Sequence, residues 1–157
     1  MDSIFRVLVL TLFGLFCLSC VGDGGSEVQG IRVEGGWARA MPLLGGAGGA
    51  ATNSAIYLHL RNVGDEPDRL TGGATTAAAA VQIHESRVVD DVMRMEEVEG
   101  VDILPGEVVE LKPGGVHIML LGLTRSLVEG EGLDLTLHFL RSEDLEVILP
   151  VRLLDGR

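Results

Sequence analysis

The chain has 157 residues, a formal net charge of −11 and 4% aromatic residues. This length predicts one domain with enough chain to bury a sizeable core. Binding of nucleic acid needs clustered basic residues and stacking aromatic rings, and the composition supplies neither. We therefore exclude nucleic acid as a partner, and we interpret the acidic surface mainly as a source of solubility.

The first twenty residues have the layout of an export signal. Arg6 precedes an almost unbroken apolar run over residues 7–18, and the small Ser19 precedes Cys20. The apolar run is too short for a comfortable transmembrane helix. We predict that residues 1–20 are a signal peptide, that residues 21–30 form a flexible tether, and that residues 31–157 form the folded domain.

The end of this signal, Leu18-Ser19-Cys20, resembles a bacterial lipobox, in which the cysteine is lipidated and becomes the mature N-terminus. We expect a periplasmic or extracytoplasmic protein that is anchored to the membrane surface through Cys20. A cleaved soluble form is the first alternative, and an uncleaved N-terminal anchor is the second. Cys17 and Cys20 also form a CxxC, but their place in the signal argues against a redox or metal motif.

Alternation of apolar and polar residues predicts strands along the rest of the chain. They cover residues 31–34 leading into 37–39, then 54–62, 68–71, 81–85, 92–96, 108–111, 116–123, 133–139 and 145–149. We interpret residues 72–80 as a loose connection. Eight or nine short strands without a convincing helix predict an all-β sandwich in a single domain.

Two histidine–methionine pairs are the candidate functional residues. His117 and Met119 share one face of a predicted strand, because side chains alternate along a strand. His84 and Met95 supply the second pair. Imidazole and thioether ligands without a carboxylate favour Cu(I) over zinc, magnesium or calcium. Since the folded domain contains no cysteine, a blue-copper electron-transfer site is excluded.

The spacing of these residues closely resembles that of the periplasmic copper chaperone family PCuAC, also called DUF461. Ten residues separate His84 from Met95, twenty-one separate Met95 from His117, and one separates His117 from Met119. Flanking segments also resemble the family: residues 37–40, 62–65, 93–95 and 111–115. The resemblance implies a cupredoxin-like Greek-key β-sandwich that binds Cu(I) through these four residues at an exposed edge.

The resemblance also implies delivery of copper to the CuA centre of cytochrome c oxidase, often beside a Sco-type thiol protein. We therefore expect a Cu(I) metallochaperone that works by ligand exchange and is not an enzyme. One alternative is a copper-sequestering protein without a dedicated acceptor. The others are a small redox enzyme acting on superoxide, and a metal-free β-sandwich lipoprotein.

Met95 and His84 have simpler interpretations when each is taken alone. A methionine in a strand is usually a core residue, and a lone histidine is more often a satisfied surface or edge residue. Met93 shares the face of Met95, so it is either an auxiliary ligand or, as we expect, a core residue. Met41 is a weaker candidate. We interpret His59 and His138 as structural, and Trp37 as a packing residue near the site.

Overall fold

The computed structural model describes residues 30–43 and 52–154, and within them the chain forms ten strands and no helix. The strands are β1 (Ile31–Arg39), β2 (Ser54–Asn62), β3 (Asp68–Ala74), β4 (Ala78–Val89), β5 (Val92–Glu97), β6 (Val101–Ile103), β7 (Val108–Leu111), β8 (Val116–Leu123), β9 (Gly132–Phe139) and β10 (Leu145–Arg152). The predicted signal peptide and the tether up to residue 29 lie outside the described residues. No helix in the described part of the chain is long and apolar enough to cross a membrane.

The strands form one continuous sheet whose two parts share a core. The first part has the order β5-β4-β8-β2-β1, with β7 also paired to β2, and the second has the order β10-β9-β3-β6. The parts join where β1 runs parallel to β10, and the other strand pairs are antiparallel. Because β8 lies between β4 and β2 rather than beside its chain neighbours, the prediction of a Greek-key all-β fold is confirmed.

Alternation along the strands divides core residues from outward-facing ones. Ile83 of β4 lies opposite Ile118 of β8, which in turn lies opposite Ile56 of β2. All three are almost completely buried. Leucines of β9 belong to the same core cluster: Leu133, Leu135 and Leu137. Residues next to this isoleucine row therefore point to the other face of the first part, where the predicted ligands lie.

The predicted loose connection over residues 72–80 is wrong. β3 continues to Ala74 and β4 begins at Ala78, so only three residues connect them. Gly73 explains the error, because a Cβ there would lie 2.6 Å from the carbonyl oxygen of Thr136 in β9. A glycine of this kind permits close approach of two strands rather than marking a loop. The three-residue strand β6 was also absent from the sequence prediction.

Hydrogen bonds to Asp68 hold the start of β3 against the connection between β9 and β10. Its nearly buried carboxylate accepts backbone N–H bonds from Arg69 at 2.7 Å, Arg141 at 3.0 Å and Ser142 at 2.9 Å. Burial alone would raise the pKa of Asp68, but these bonds and the hydroxyl of Ser142 outweigh it, so the pKa is lowered. The ionised carboxylate thus stabilises the fold.

We expect Asp68→Asn to lower the free energy of unfolding at neutral pH by about 1–3 kcal/mol, because the amide cannot accept all of these bonds. A lowered pKa in the folded state means that the carboxylate stabilises above its unfolded pKa of about 3.9, and that this contribution is lost as the pH falls through the folded value. Urea unfolding of parent and variant should therefore differ most near neutral pH and converge in acid.

Asp102→Asn is the matched control. This exposed carboxylate pairs with Arg69 at 3.0 Å, and exposed ion pairs contribute about 0–1 kcal/mol. Equal destabilisation by the two substitutions, or a difference that does not change with pH, would contradict the role assigned to Asp68.

Candidate metal centre

The four predicted ligands lie on three adjacent strands. Met95 is on β5, His84 on β4, and His117 and Met119 on β8. His84 lies directly opposite His117 in the β4–β8 pair. Because opposed residues, and residues two apart on one strand, share a face of a sheet, all four side chains belong to the same face.

His84 occupies the centre of this group. Along β4, Met119 lies opposite Gln82, and Met95 lies opposite Ser86. The two methionines are thus diagonal neighbours of His84 on its two sides, a separation at which long side chains still reach each other. The register places the two imidazoles opposite each other. It also places the two thioethers on opposite sides of His84.

Among the described residues, hydrogen bonds leave one nitrogen of each imidazole without a protein partner. The ring centroids of His84 and His117 are 6.4 Å apart. Nδ1–H of His117 donates to the carbonyl of Gly115 at 2.9 Å, which leaves the lone pair on Nε2. Nε2–H of His84 donates to Oε1 of Gln82 at 3.0 Å, and its buried Nδ1 has no hydrogen-bond partner. A buried unpaired acceptor is costly unless something binds it.

The surroundings of His84 lower the pKa of its ring and so favour the neutral form. Burial lowers the pKa of His84, the neighbouring His117 lowers it further, and Glu97 acts in the opposite direction. Neutral imidazole is the form that binds a metal ion. The surroundings of His84 therefore favour its metal-binding state.

A tight turn positions His117. Residues 112–115 form a turn in which the N–H of Gly115 bonds the carbonyl of Lys112 at 3.2 Å. Pro113 is at the second position and Gly114, with φ +77°, is at the third, as a type II turn requires. The carbonyl of Gly115 then accepts bonds from the His117 ring and from the N–H of Ser86 at 3.1 Å. One carbonyl thus fixes both the ring and the β4–β8 register.

Met95 is presented by a hairpin rather than by the body of the sheet. Asp90 and Asp91 connect β4 to β5, with φ values of 52° and 59°. Two consecutive left-handed residues make a type I′ turn, which matches the twist of a hairpin. Met95 is 48% exposed, whereas His117 is 3% exposed. The group therefore has a buried side at His117 and an open side at Met95.

Two aromatic rings lie beyond His117 on the same face of the sheet. The Tyr57 ring lies 6.2 Å from the His117 ring, centroid to centroid, and Trp37 lies 4.7 Å from Tyr57. The expectation that Trp37 packs near the site agrees with this arrangement. The rings shield His117 on the side away from His84.

These donors fit a soft, monovalent metal ion better than a hard one. Among residues 30–43 and 52–154, no cluster of three or more His, Cys, Asp or Glu side chains is arranged to hold a metal ion. The face offers imidazole lone pairs and thioethers, the ligand types that suit Cu(I). The unpaired Nδ1 of His84 is the structural observation that agrees with a bound metal.

The remaining sequence candidates have other surroundings. The expectation that Met93 is a core residue is wrong, because its side chain is 65% exposed. Met41 forms an isolated bridge with Leu127 and packs against the hydrophobic core. Half-exposed His59 and His138 contact carboxylates, Glu110 at 3.4 Å and Asp144 at 2.9 Å respectively.

Sequence reasoning missed Gln82 and Glu97. Gln82 is two residues before His84, so strand alternation alone places both on one face, and this signal was available. Glu97 lies opposite His84 through the β4–β5 register. That register depends on the length of the hairpin turn, which the sequence pattern did not define.

Solved structures with this fold include copper-protein domains. One is described as “Copper-bound PCuAC domain from PmoF2”, with 25% identity and a TM-score of 0.63 over 79% of this chain and 93% of that one. Another is “Solution structure of CuI-DR1885 from Deinococcus Radiodurans”, with 26% identity and a TM-score of 0.57 over 80% of this chain and 81% of that one. The fold is that of the PCuAC domains, so the predicted resemblance and the cupredoxin-like fold class are confirmed.

The sequence comparisons define the family. Residues 31–151 match the model described as “Putative lipoprotein LpqE-like”. The “Putative lipoprotein Lxx21020” of Leifsonia xyli subsp. xyli (strain CTCB07) is 31% identical over 133 residues, which cover 84% of this chain and 75% of that protein. The chain belongs to the LpqE-like lipoprotein family.

We expect Gln82→Leu to change the tautomer of His84, because the hydrogen bond that holds the proton on Nε2 is removed. Nitrogen-15 NMR of the imidazoles should show an Nε2–H tautomer in the parent and a mixture in the variant. His117 is the internal control, since the backbone of Gly115 holds its Nδ1–H. An unchanged His84 tautomer, or equal changes in both rings, would contradict this assignment.

Proposed function

We propose that this protein is an extracytoplasmic Cu(I) carrier that binds the ion through His84, Met95, His117 and Met119 and releases it by ligand exchange. The observation that supports this most directly is the buried, unpaired Nδ1 of His84 on a face that also carries His117 and the two methionines. The copper-bound and Cu(I) states of the similar domains agree with it.

The ligand set suits cargo rather than a redox cofactor. Imidazoles and thioethers are neutral and hold Cu(I) without thiolates, which oxidise readily outside the cytoplasm. The carboxylate of Glu97 raises the pKa of His84, but its effect is smaller than that of burial. We therefore propose that copper enters and leaves as Cu(I), and that the protein catalyses no reaction.

Release begins at the open side of the site. Met95 is half-exposed on an edge strand, whereas His117 is buried and held by the carbonyl of Gly115. A ligand from an acceptor can thus replace the Met95 thioether while the histidines still hold the ion. Stepwise replacement avoids a free copper ion, and it needs no rearrangement of β4 or β8.

The acceptor and the cellular location follow from the family resemblance. We propose the CuA domain of cytochrome c oxidase as the acceptor, directly or through a Sco-type thiol protein. We also propose that a lipid on Cys20 anchors the chain at the outer side of the cytoplasmic membrane. The family and the Leifsonia relative are both named as lipoproteins, and these names support the proposed anchor.

We expect the protein purified after export to bind one equivalent of Cu(I) in competition with bicinchoninate. Met95→Ala and Met119→Ala should each weaken binding by about tenfold or more, because each removes a direct ligand. Met93→Ala is the matched control, since it removes an exposed thioether from the same face of β5. Failure to compete, or an equal loss in the Met93 variant, would contradict the proposed ligand set.

Transfer to an acceptor distinguishes delivery from sequestration. The Cu(I)-loaded protein should pass its ion to a reduced, metal-free CuA domain mixed with it faster than to the same domain held behind a dialysis membrane. Contact-dependent transfer is expected because the acceptor must reach Met95. Transfer through the dialysis membrane at the same rate, or retention of the ion in the presence of the acceptor, would favour a copper-buffering protein.

A further inference from the structure

Strand β5 is an open edge beside the ligand face. Within the part of the chain that the structure describes, β4 is its only hydrogen-bonded neighbour. All six residues of β5 are exposed. An edge strand presents a row of unpaired N–H and C=O groups, which can pair with another strand.

The phase of the hairpin determines which residues present these groups. Val89 and Val92 close the two-residue turn, and such a closing pair exchanges hydrogen bonds. Just beyond the far end of β5, the N–H of Val98 bonds the carbonyl of Ile83 at 2.9 Å. Ile83 and Val98 are therefore also a hydrogen-bonded pair, as the alternation from the turn requires. Hydrogen-bonded and non-hydrogen-bonded pairs alternate between these points. The outward-facing backbone groups of β5 are therefore those of Met93, Met95 and Glu97.

The charges that flank Met95 are poorly paired within the chain. Arg94 lies opposite Arg87 on β4, and Glu96 lies opposite Glu85. Like charges directly opposite each other destabilise a strand pair. Glu96 reaches Arg87 at 3.4 Å, but among the described residues Arg94 has no ion pair. An unpaired cation and an acid thus stand two residues apart on the edge strand of an acidic protein.

We propose that a second copy of this chain pairs antiparallel along β5, with the two-fold axis at Met95. In this register Met95 exchanges two backbone hydrogen bonds with its counterpart, using groups that point outward. Arg94 then lies opposite Glu96 of the second copy, and the same pair forms again across the axis. Moving the axis to Arg94 or to Glu96 would instead oppose two arginines or two glutamates.

This dimer joins the two candidate metal centres. At the axis the two Met95 Cα atoms are about 5.5 Å apart, as in any hydrogen-bonded antiparallel pair. Both thioethers lie on the face that carries His84, so the ligand faces of the two copies become continuous. The edge is six residues long and the interface is small, so we expect weak, concentration-dependent association. The pairing depends on β5 alone and does not require that copper binds.

The charge pattern provides a test that is specific to this register. In sedimentation equilibrium of the metal-free protein, Arg94→Glu and Glu96→Arg should each weaken dimerisation by about tenfold, because both ion pairs become like-charge contacts. A mixture of the two single variants should form a heterodimer, since each copy then meets the opposite charge. The double variant with both substitutions should dimerise like the parent.

Controls separate this pairing from net charge and from misfolding. Arg32→Glu and Glu146→Arg make the same charge changes at exposed positions in β1 and β10, away from the edge, and should leave dimerisation unchanged. Rescue in the mixture shows that both single variants are folded. Oxidation should also cross-link Met95→Cys but not Met93→Cys, whose equivalent residues would lie about 13 Å apart along the strands.

Three results would overturn the proposal. One is a parent protein that stays monomeric at all concentrations. Another is a dimer that is insensitive to the charges of β5, which would place the interface elsewhere. The third is a mixture of Arg94→Glu and Glu96→Arg variants that does not associate.

Discussion

The candidate metal centre depends on the register between β4 and β8. His84 faces His117 only because the two strands pair with Ile83 opposite Ile118. A slip of one residue would turn the imidazoles into the core and the isoleucines into solvent, at a large cost in free energy. The buried isoleucine row therefore determines the position of the candidate ligands, although it lies on the opposite face of the sheet.

The turn before β8 reinforces this register chemically. The carbonyl of Gly115 accepts the N–H of Ser86 on β4 and the Nδ1–H of His117 on β8. A metal-binding histidine commonly donates its second nitrogen to a fixed acceptor, which orients the ring. Here that acceptor also belongs to the backbone ladder, so ring orientation and strand pairing are stabilised by the same atom.

Much of the fold could be predicted from the sequence because alternation reports directly on burial. The pattern identified β2 and β5 to β10 closely, apart from β6, and it placed His117 and Met119 on one face. It failed at Gly73 because a glycine that allows close strand contact looks the same as a glycine in a loop. It also placed Met93 in the core, since β5 carries apolar residues although it is an exposed edge.

The sequence selects four candidate ligands, but it does not determine how they are arranged. Spacing and the family resemblance selected four residues, but strand partners come from contacts between distant parts of the chain. The central position of His84, the hydrogen bond from Gln82 and the proximity of Glu97 all follow from register. The exposure of Met95 follows from the sheet order, because β5 is the last strand of the sheet.

The isoleucine row behind the ligands has a consequence for repeated use of the protein. His84 and His117 are chain neighbours of core residues, so the conformational entropy lost in orienting their backbone is lost once, when the domain folds. Binding and release of cargo then leave the strands in place, and no part of the core has to form again in each cycle. The rigid part of the candidate site is thus the strand pair that carries the histidines, and the accessible part is the exposed side chain of Met95.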